Sequence, residues 1–297
     1  MTQSFDPPVG VAETLEPGVL RILAPNPSPM TFRGTNTYLL GSRDLAVIDP
    51  GPDSADHLAA ILGAVPQGAR ISHILITHSH RDHSPLAAPL SAHTGAPVLA
   101  FGDSAAGQNR ALDQMSGGEG IDHAFHPDRT LAHGARVTGD DWQVEVVATP
   151  GHMGNHISFA SNGALFSGDH VMGWASSVVA PPEGDLTAFM ASLTRLMART
   201  DDRVYYPGHG APITDPPARL RELYDHRKSR EAQILQALET GPATAQTLAR
   251  RIYTDINPRL LRAAAGNVMA HLIDLFGRDV TTPEGPLHPE TRFALTR

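Results

Sequence analysis

The sequence predicts a protein of the α/β (α+β) class with a small helical domain at its carboxyl end. Up to residue 215, short apolar runs typical of strands alternate with segments whose apolar residues recur at helical spacing. From residue 216 the pattern changes to helical segments followed by two short strand-like runs. We therefore expect two domains, 1–215 and 216–297. A chain of 297 residues is long enough to give each of them a hydrophobic core.

The composition is that of a globular protein that needs no disulfides. Hydrophobic residues make up 41% of the chain and charged residues 18%, which excludes a disordered chain. No apolar run approaches the ~20 residues needed to cross a bilayer, and the first residues lack the features of a secretory signal. Because there is no cysteine, a bound metal must be held by nitrogen and oxygen. We expect a cytoplasmic protein.

Charge is divided unevenly between the two regions. Residues 1–215 carry 11 Lys and Arg against 22 Asp and Glu, whereas residues 216–297 carry 12 against 9. An acidic region repels phosphate backbones, and a basic segment can contact them. The difference indicates either a module with its own partner or uneven charge on a solvated surface.

The first predicted elements lead into a cluster of histidines. Apolar runs predict strands within 19–24 and 35–49, and residues 57–65 have the apolar spacing of a helix. The Ile-rich run at 71–76 is typical of a buried strand. It is followed at once by the motif H-x-H-x-D-H at 78–83, whose members are His78, His80, Asp82 and His83.

The spacing of this motif favours a metal site. Residues two apart in extended chain face the same way, so His78 and His80 can converge on one point. Asp82 and His83 then turn toward a neighbouring point. Imidazole and carboxylate are ligands suited to zinc and similar divalent metals. The alternative is that these histidines are ordinary surface or core residues. Three histidines and one aspartate within six residues make this alternative the weaker one.

The middle of the chain repeats the pattern of a strand that ends in a ligand. Ser84 and Pro85 suit the start of a helix, as cap and first residue. Residues 98–101 predict a strand, and the Gly-rich segment 102–120 predicts a mobile or site-covering loop. Strands resume from 136 to 168. Three predicted strands end in a turn that contains glycine, and these turns contain His152, Asp169 and His209.

The carboxyl-terminal region predicts a winged helix. A helix at 186–199, capped by Asp185, still belongs to the first domain. Beyond it, helices are expected at 216–240, around 248–252 and from Asn257-Pro258 onward. Two short strands around a turn follow, within 280–285 and 292–295.

In this order, the motifs resemble those of the metallo-β-lactamase superfamily along about 200 residues. They are the hexad at 78–83, Thr149-Pro150-Gly151-His152, Ser167-Gly168-Asp169 and Pro207-Gly208-His209. The resemblance implies an αββα sandwich with two metals at the sheet edges. The carboxyl-terminal segment makes the chain most similar to the β-lactamase-like protein 2 group, whose studied members include a single-strand endoribonuclease.

The same resemblance implies a division of the ligands between two divalent metals per chain. His78, His80 and His152 hold one metal, Asp82, His83 and His209 hold the other, and Asp169 bridges them. Zinc is the expected metal, with iron or manganese as alternatives. The chain has no cysteine and so differs from the lactamases that use a cysteine as a metal ligand. Ser84-Pro85 departs from the glycine pair of enzymes that split hydroxyacylglutathione thioesters.

Two cations about 3.5–4 Å apart can share a water and present hydroxide at neutral pH. A bridging hydroxide of this kind would attack an acyl or phosphoryl centre. Asp82 is the candidate catalytic residue, as a ligand that also steers the water or accepts its proton. Residues expected either to hold a ligand from behind or to contact the substrate are Asp49, His156, His170 and Trp174.

Three functions remain open from the sequence. We favour a hydrolase for a small thioester, ester, lactone or amide, because the catalytic region is acidic. A nuclease is the second hypothesis, since arginines recur along 219–230 and at 250–262. A metal-sensing DNA-binding regulator is the third and is not favoured, because 258–276 is mostly apolar. That segment instead suits packing or a homodimer through the carboxyl-terminal domain. No membrane partner is expected.

Overall fold

A computed structural model describes residues 5–109, 112, 115 and 120–296. Within these residues, the first sheet contains β1 to β7 in chain order. Neighbours are antiparallel from β1 to β4 and parallel from β4 to β7. The strands are β1 (Ala12–Glu16), β2 (Val19–Leu23), β3 (Asn36–Leu40), β4 (Asp44–Ile48), β5 (Arg70–Leu75), β6 (Val98–Ala100) and β7 (Arg129–Thr130).

The second sheet has the order β12-β11-β10-β9-β8. In this second sheet, neighbouring strands from β8 to β11 are antiparallel, and β11 and β12 are parallel. The strands are β8 (Arg136–Thr138), β9 (Gln143–Ala148), β10 (Ile157–Ser161), β11 (Ala164–Gly168) and β12 (Val204–Pro207).

The two sheets face each other across a shared core, with helices on both outer faces. Tyr38, Leu75, Phe159 and Phe166 belong to this inner core. Side chains alternate along the strands, so Leu165 between its neighbours faces outward instead. The helices α1 (Ala55–Gly63) and α2 (Ala87–Thr94) cover the first sheet, and α3 (Leu186–Met197) and α4 (Pro216–Leu238) cover the second. The layers form the expected αββα sandwich.

The carboxyl-terminal region is the expected winged helix. It contains α5 (Ala245–Ile252), a short 3₁₀ turn (Pro258–Leu260) and α6 (Leu261–Gly277). A small sheet in the order β13-β15-β14 packs beside them. Its strands are β13 (Ala243–Thr244), β14 (Thr281–Pro283) and β15 (Arg292–Leu295).

Helix α4 contributes to both hydrophobic cores. Leu220 and Leu223, near its start, pack with the sandwich. Ile234 and Leu238, near its end, pack in the carboxyl-terminal core. The boundary between residues 215 and 216 thus coincides with the start of α4 and stays a prediction, because the helix belongs to both regions.

One predicted helix start is wrong. Helix α2 begins at Ala87 without a side-chain cap, so Ser84 and Pro85 do not open it. The Ser84 hydroxyl instead donates to the Asp122 carboxylate at 2.8 Å, which ties the motif to a distant loop. Most of the Gly-rich loop predicted at 102–120 is described, but 110–111, 113–114 and 116–119 lie outside the described residues.

No described helix is both long enough and apolar enough to pass through a membrane.

Candidate metal centre

The seven predicted ligands meet at one edge of the sandwich, where four strands end. The hexad follows β5, His152 follows β9, Asp169 follows β11 and His209 follows β12. Two sets of side chains each bring their ligand atoms within 4.8 Å of one another. We call them the three-histidine group (His78, His80 and His152) and the mixed group (Asp82, His83, Asp169 and His209).

In the three-histidine group, three ring nitrogens face one point. His80 Nδ1 lies 3.0 Å from His78 Nε2 and 3.0 Å from His152 Nε2. Ligand nitrogens about 2.0–2.1 Å from a tetrahedral metal stand roughly 3.3 Å apart. The spacing of the three nitrogens is therefore close to that of a metal-binding triad.

In the mixed group, the two carboxylates and two imidazoles surround a second point. His209 Nε2 lies 3.1 Å from Asp82 Oδ2 and 3.3 Å from Asp169 Oδ2. His83 Nε2 lies 3.5 Å from Asp82 Oδ2 and 3.5 Å from Asp169 Oδ1. Asp169 Oδ2 is also 3.8 Å from His152 Nε2. Asp169 thus faces both groups, as a bridging carboxylate must.

Four of the five imidazoles are held from behind by an oxygen acceptor. A ring nitrogen that donates to this acceptor leaves the other nitrogen without a proton and free to ligate. The Nδ1 atoms of His78, His83, His152 and His209 contact Thr77 Oγ1 at 2.9 Å, Asp49 Oδ2 at 2.9 Å, the Val178 carbonyl at 2.7 Å and the Gly34 carbonyl at 3.1 Å.

Asp49 connects two of these supports. Its carboxylate accepts from the backbone N–H of Thr77 at 2.8 Å, from the Thr77 hydroxyl at 2.7 Å and from His83 Nδ1. The Asp49 backbone has φ of 49°, a left-handed conformation that costs a non-glycine residue on the order of 1–3 kcal/mol. This backbone conformation, at the end of β4, directs the Asp49 carboxylate toward the histidines.

Two glycines are required for space or conformation beside the cluster. A Cβ on Gly208 would lie 2.3 Å from Asp169 Oδ1 and 2.7 Å from His83 Cε1. Gly34, whose carbonyl supports His209, has φ of 137° and lies against the Ala24 backbone. Larger side chains at either position would displace a candidate ligand.

The imidazoles of the three-histidine group are held in the neutral form. Burial lowers the pKa of His78 well below its ordinary value, and the neighbouring His83 lowers it further. Burial also lowers the pKa of His80 to about 3 and lowers that of His152. Neutral imidazole is the form that binds metal.

The mixed group favours positive charge instead. Burial acts to lower the pKa of His209, but Asp169 and Asp82 outweigh it and raise this pKa to about 10. Burial acts to raise the pKa of Asp169, but His209 and His83 hold it well below its ordinary value. Two ionised carboxylates in a buried site need cationic neighbours, which a divalent metal supplies.

Three buried atoms at the centre make no hydrogen bond to any residue that the structure describes, and they are His83 Nε2, Asp169 Oδ1 and His209 Nε2. A buried polar atom without a partner costs about 1–3 kcal/mol. Coordination to a metal satisfies such atoms, so the residues present fit the implied pair of divalent ions.

The centre forms one wall of a cavity of about 560 Å³. We call this side the sandwich wall, to which His80, Asp82, His152 and Asp169 contribute. The other side, the helical wall, comes from α4 and the carboxyl-terminal region and combines apolar side chains with polar ones. Its residues include His226, Arg227, Tyr253, Ile256, Leu260, Ala263, Ala264 and Asn267.

The other predicted site residues have different positions. Trp174 lines the cavity and stacks on Phe32 with ring centroids 5.0 Å apart. His156 is buried, and its nitrogens contact the Thr149 hydroxyl and the backbone N–H of Asp169. His170 is buried beside Phe189 and is not among the residues that line the cavity. His156 therefore supports Asp169, and His170 fills the interior.

Sequence reasoning missed several residues around the centre. His226 lines the cavity, although nothing in the spacing around it indicates this. Thr77, Gly34 and Val178 hold ligands from behind. For Thr77 the signal is its place directly before the hexad. The Val178 carbonyl has no sequence signal, since any residue carries one.

The chain matches two family descriptions. Residues 30–209 match the metallo-beta-lactamase superfamily, and residues 244–282 match the beta-lactamase associated winged helix domain.

Individual proteins show the same likeness. The chain is 36% identical over 272 residues to a beta-lactamase-like protein 2 homolog of Drosophila melanogaster, covering 88% of each chain. It is 31% identical over 278 residues to an atrochrysone carboxyl ACP thioesterase of Aspergillus fumigatus, covering 91% of this chain and 80% of that protein. A metallo-beta-lactamase family protein of Thermus thermophilus superposes with a TM-score of 0.77 at 25% identity, covering 95% of this chain and all of the other.

Proposed function

The chain belongs to the metallo-β-lactamase superfamily, and from this premise we propose that it is a dinuclear metal-dependent hydrolase of a small acyl substrate. The observation that carries the proposal is the convergence of five imidazoles and two carboxylates, with unpartnered buried atoms, on one wall of a cavity. The apolar side chains of the helical wall, Ile256, Leu260, Ala263 and Ala264, support an acyl substrate. Among acyl compounds a thioester is favoured, because one relative is named a thioesterase.

We assign the ligands as the two groups suggest. The three-histidine group would hold one metal, Asp82, His83 and His209 the other, and Asp169 both. When bound, such ions polarise a carbonyl oxygen and lower the pKa of water toward about 7. Zinc is the proposed metal because its ligands here are chiefly imidazole, and iron or manganese would accept the same groups. Elemental analysis of purified protein tests this assignment.

Asp82 is the carboxylate best placed to move a proton. Its side chain is 26% exposed and lines the cavity, whereas that of Asp169 is 9% exposed. Asp82 can therefore accept a proton from a water in the cavity and pass it to solvent. Asp169 is enclosed by His83 and His209 and serves as a ligand.

Two arginines of α4 argue against a phosphodiester substrate. Arg219 donates to the carbonyls of Met172 and Ala175 at 2.7 and 2.8 Å. Arg227 donates to the Ser177 carbonyl at 2.5 Å. These guanidinium groups hold the loop beside the cavity, so they are not available to bind a nucleic-acid backbone.

A single-strand nuclease is the second candidate. Arg250 and Arg251 are exposed on α5, and Arg259 is exposed before α6, so a basic surface remains beyond the cavity. We do not propose the DNA-binding regulator. Val268, Met269 and Leu272 of α6 are buried in the carboxyl-terminal core, which leaves this face unable to read bases.

One substrate comparison separates the candidates. Metal-loaded protein is assayed against an acyl thioester, a β-lactam and single-stranded RNA, each with and without a chelator. We expect thioester hydrolysis that is lost with the chelator and in His80→Ala, but retained in the exposed control His93→Ala. RNA cleavage lost in His80→Ala, with no acyl hydrolysis, would replace this proposal by the nuclease.

The cellular setting is also proposed rather than shown. The absence of cysteine suits a reducing compartment, which is the basis for proposing the cytoplasm. A homodimer through the carboxyl-terminal domain remains an expectation, and sedimentation of the purified protein tests it.

A further inference from the structure

A short segment behind the three-histidine group links it to the carboxyl-terminal region. The segment is Ser177–Val179, and the Val178 carbonyl accepts from His152 Nδ1 at 2.7 Å. This bond sets the orientation of the ring and leaves Nε2 facing His80. The position of His152 therefore depends on what holds the segment.

Two side chains from separate helices hold it from the far side. On α6, Asn267 Oδ1 accepts from the Val179 backbone N–H at 2.9 Å and from Arg227 Nη1 at 3.0 Å. On α4, Arg227 Nη2 donates to the Ser177 carbonyl at 2.5 Å. The peptide groups on both sides of Val178 are thus fixed by one connected pair.

Arg227 is a charged residue in a buried position. It is 3% exposed, and burial lowers its pKa to about 10. Among the described residues it makes no ion pair with a carboxylate, and its guanidinium lies 4.9 Å from the Phe189 ring. A buried cation without a counter-charge is costly, so a core built for stability alone favours an apolar side chain here.

We propose that Arg227 and Asn267 are positioning residues, which keep His152 directed at the metal of the three-histidine group by fixing Ser177–Val179. This inference rests on the proposed function for the existence of that metal. According to this proposal, the carboxyl-terminal region helps to retain the metal of the three-histidine group and has no effect on the metal of the mixed group.

The first test compares metal binding by wild type and Asn267→Leu, a change that keeps a side chain branched at Cγ and removes the acceptor oxygen. Zinc is titrated into metal-free full-length protein by calorimetry, with stoichiometry checked by elemental analysis. We expect one of the two zinc sites to weaken by about 10- to 100-fold, as for other residues that orient a metal-binding histidine. The other site is unchanged.

A double-variant cycle assigns the weakened site. In the His80→Ala background, which lacks the three-histidine site, Asn267→Leu should leave the affinity of the remaining zinc unchanged. Weakening of that remaining site by Asn267→Leu would overturn the proposal, because it would show a general loosening of the fold.

Two further variants separate positioning from stability. Asn267→Asp keeps the acceptor oxygen, so both zinc sites of this variant should bind zinc as tightly as in wild type. Thr281→Val removes another buried hydrogen bond of the same region, from the Thr281 hydroxyl to the Leu272 carbonyl at 3.1 Å. It should lower the melting temperature without changing zinc affinity.

Arg227→Lys provides a second route if Asn267→Leu does not fold. It keeps the charge but removes the fork that reaches both Asn267 and Ser177, so the same zinc site should weaken. Unchanged affinity at both sites in folded Asn267→Leu or Arg227→Lys overturns the inference. Wild type that binds no metal overturns the proposed function instead.

Discussion

The two walls of the cavity are built in opposite ways. On the sandwich wall, polar side chains leave the ends of strands, and hydrogen bonds to Asp49, Thr77, Val178 or Gly34 fix four of the five imidazoles. On the helical wall, Ile256, Leu260 and Ala263 present mainly apolar surface. In the proposed hydrolase, this difference would separate two tasks, because the sandwich wall would supply the reactive groups and the helical wall would select the substrate by its size.

The largest effect is expected on the sandwich wall. His78→Ala and Asp169→Ala should each lower kcat/KM about 1,000-fold or more, the factor that a loss of some 4 kcal/mol of transition-state stabilisation gives. Each variant should also lose one metal per chain. Kinetics and elemental analysis on the same samples check both, with His93→Ala as the control. Full activity with two bound metals in either variant would contradict the assignment.

A smaller effect is expected behind the same wall. Asp49→Asn keeps the shape of the side chain but removes the charge that holds His83, so zinc affinity of the mixed group should fall about 10- to 100-fold. Calorimetric titration measures it. Asp44→Asn, at the start of the same strand, removes a carboxylate paired with Arg70 on the surface and should leave affinity unchanged. If both variants lowered zinc affinity equally, Asp49 would not be the residue that holds His83 in place.

Changes on the helical wall should alter selectivity more than rate. Ala263→Leu places extra volume in the cavity, so kcat/KM for a bulky acyl thioester should fall about 10- to 200-fold while that for an acetyl thioester stays the same. The control is Ala265→Leu, which lines a neighbouring cavity on the same helix and not this one. An equal loss for short and bulky substrates would indicate damage to the metal centre rather than a size limit.

The smallest effect is expected for Leu260→Ala. Removing three carbons from the helical wall should raise kcat/KM for the bulkiest acyl thioester by a few-fold, a smaller effect than the about 10- to 200-fold that a methylene in a fitted pocket gives. Rates for a series of acyl chain lengths reveal the shift. If kcat/KM rose only for the shortest acyl chain, the result would contradict a size limit set by Leu260.

The contrast between the walls also explains what the sequence could predict. The candidate ligands were visible because four of them fall within one hexad and the others directly follow strands with recognisable periodicity. The αββα sandwich is implied by the resemblance of these motifs to the superfamily, the winged helix is predicted by the order of helices and short strands, and both are confirmed. Trp174 lines the cavity, and its contact with substrate stays a prediction.

The helical wall was not open to the same reasoning. Asn267 and Arg227 sit inside regular helices, where their neighbours follow ordinary helical spacing and give no sign of a contact with Ser177–Val179. Ala263 and His226 face the cavity only because the two regions dock as they do. Such contacts depend on the packing of whole domains, which local spacing does not encode.

The continuity of α4 has a consequence for how the molecule moves. This helix runs unbroken for 23 residues, from the sandwich core into the carboxyl-terminal core. A hinge between the regions at this point would require the helix to bend or its packed leucines to separate. For the proposed hydrolase we therefore expect a cavity of nearly constant shape, which substrate enters through rotation of side chains rather than through movement of one region against the other.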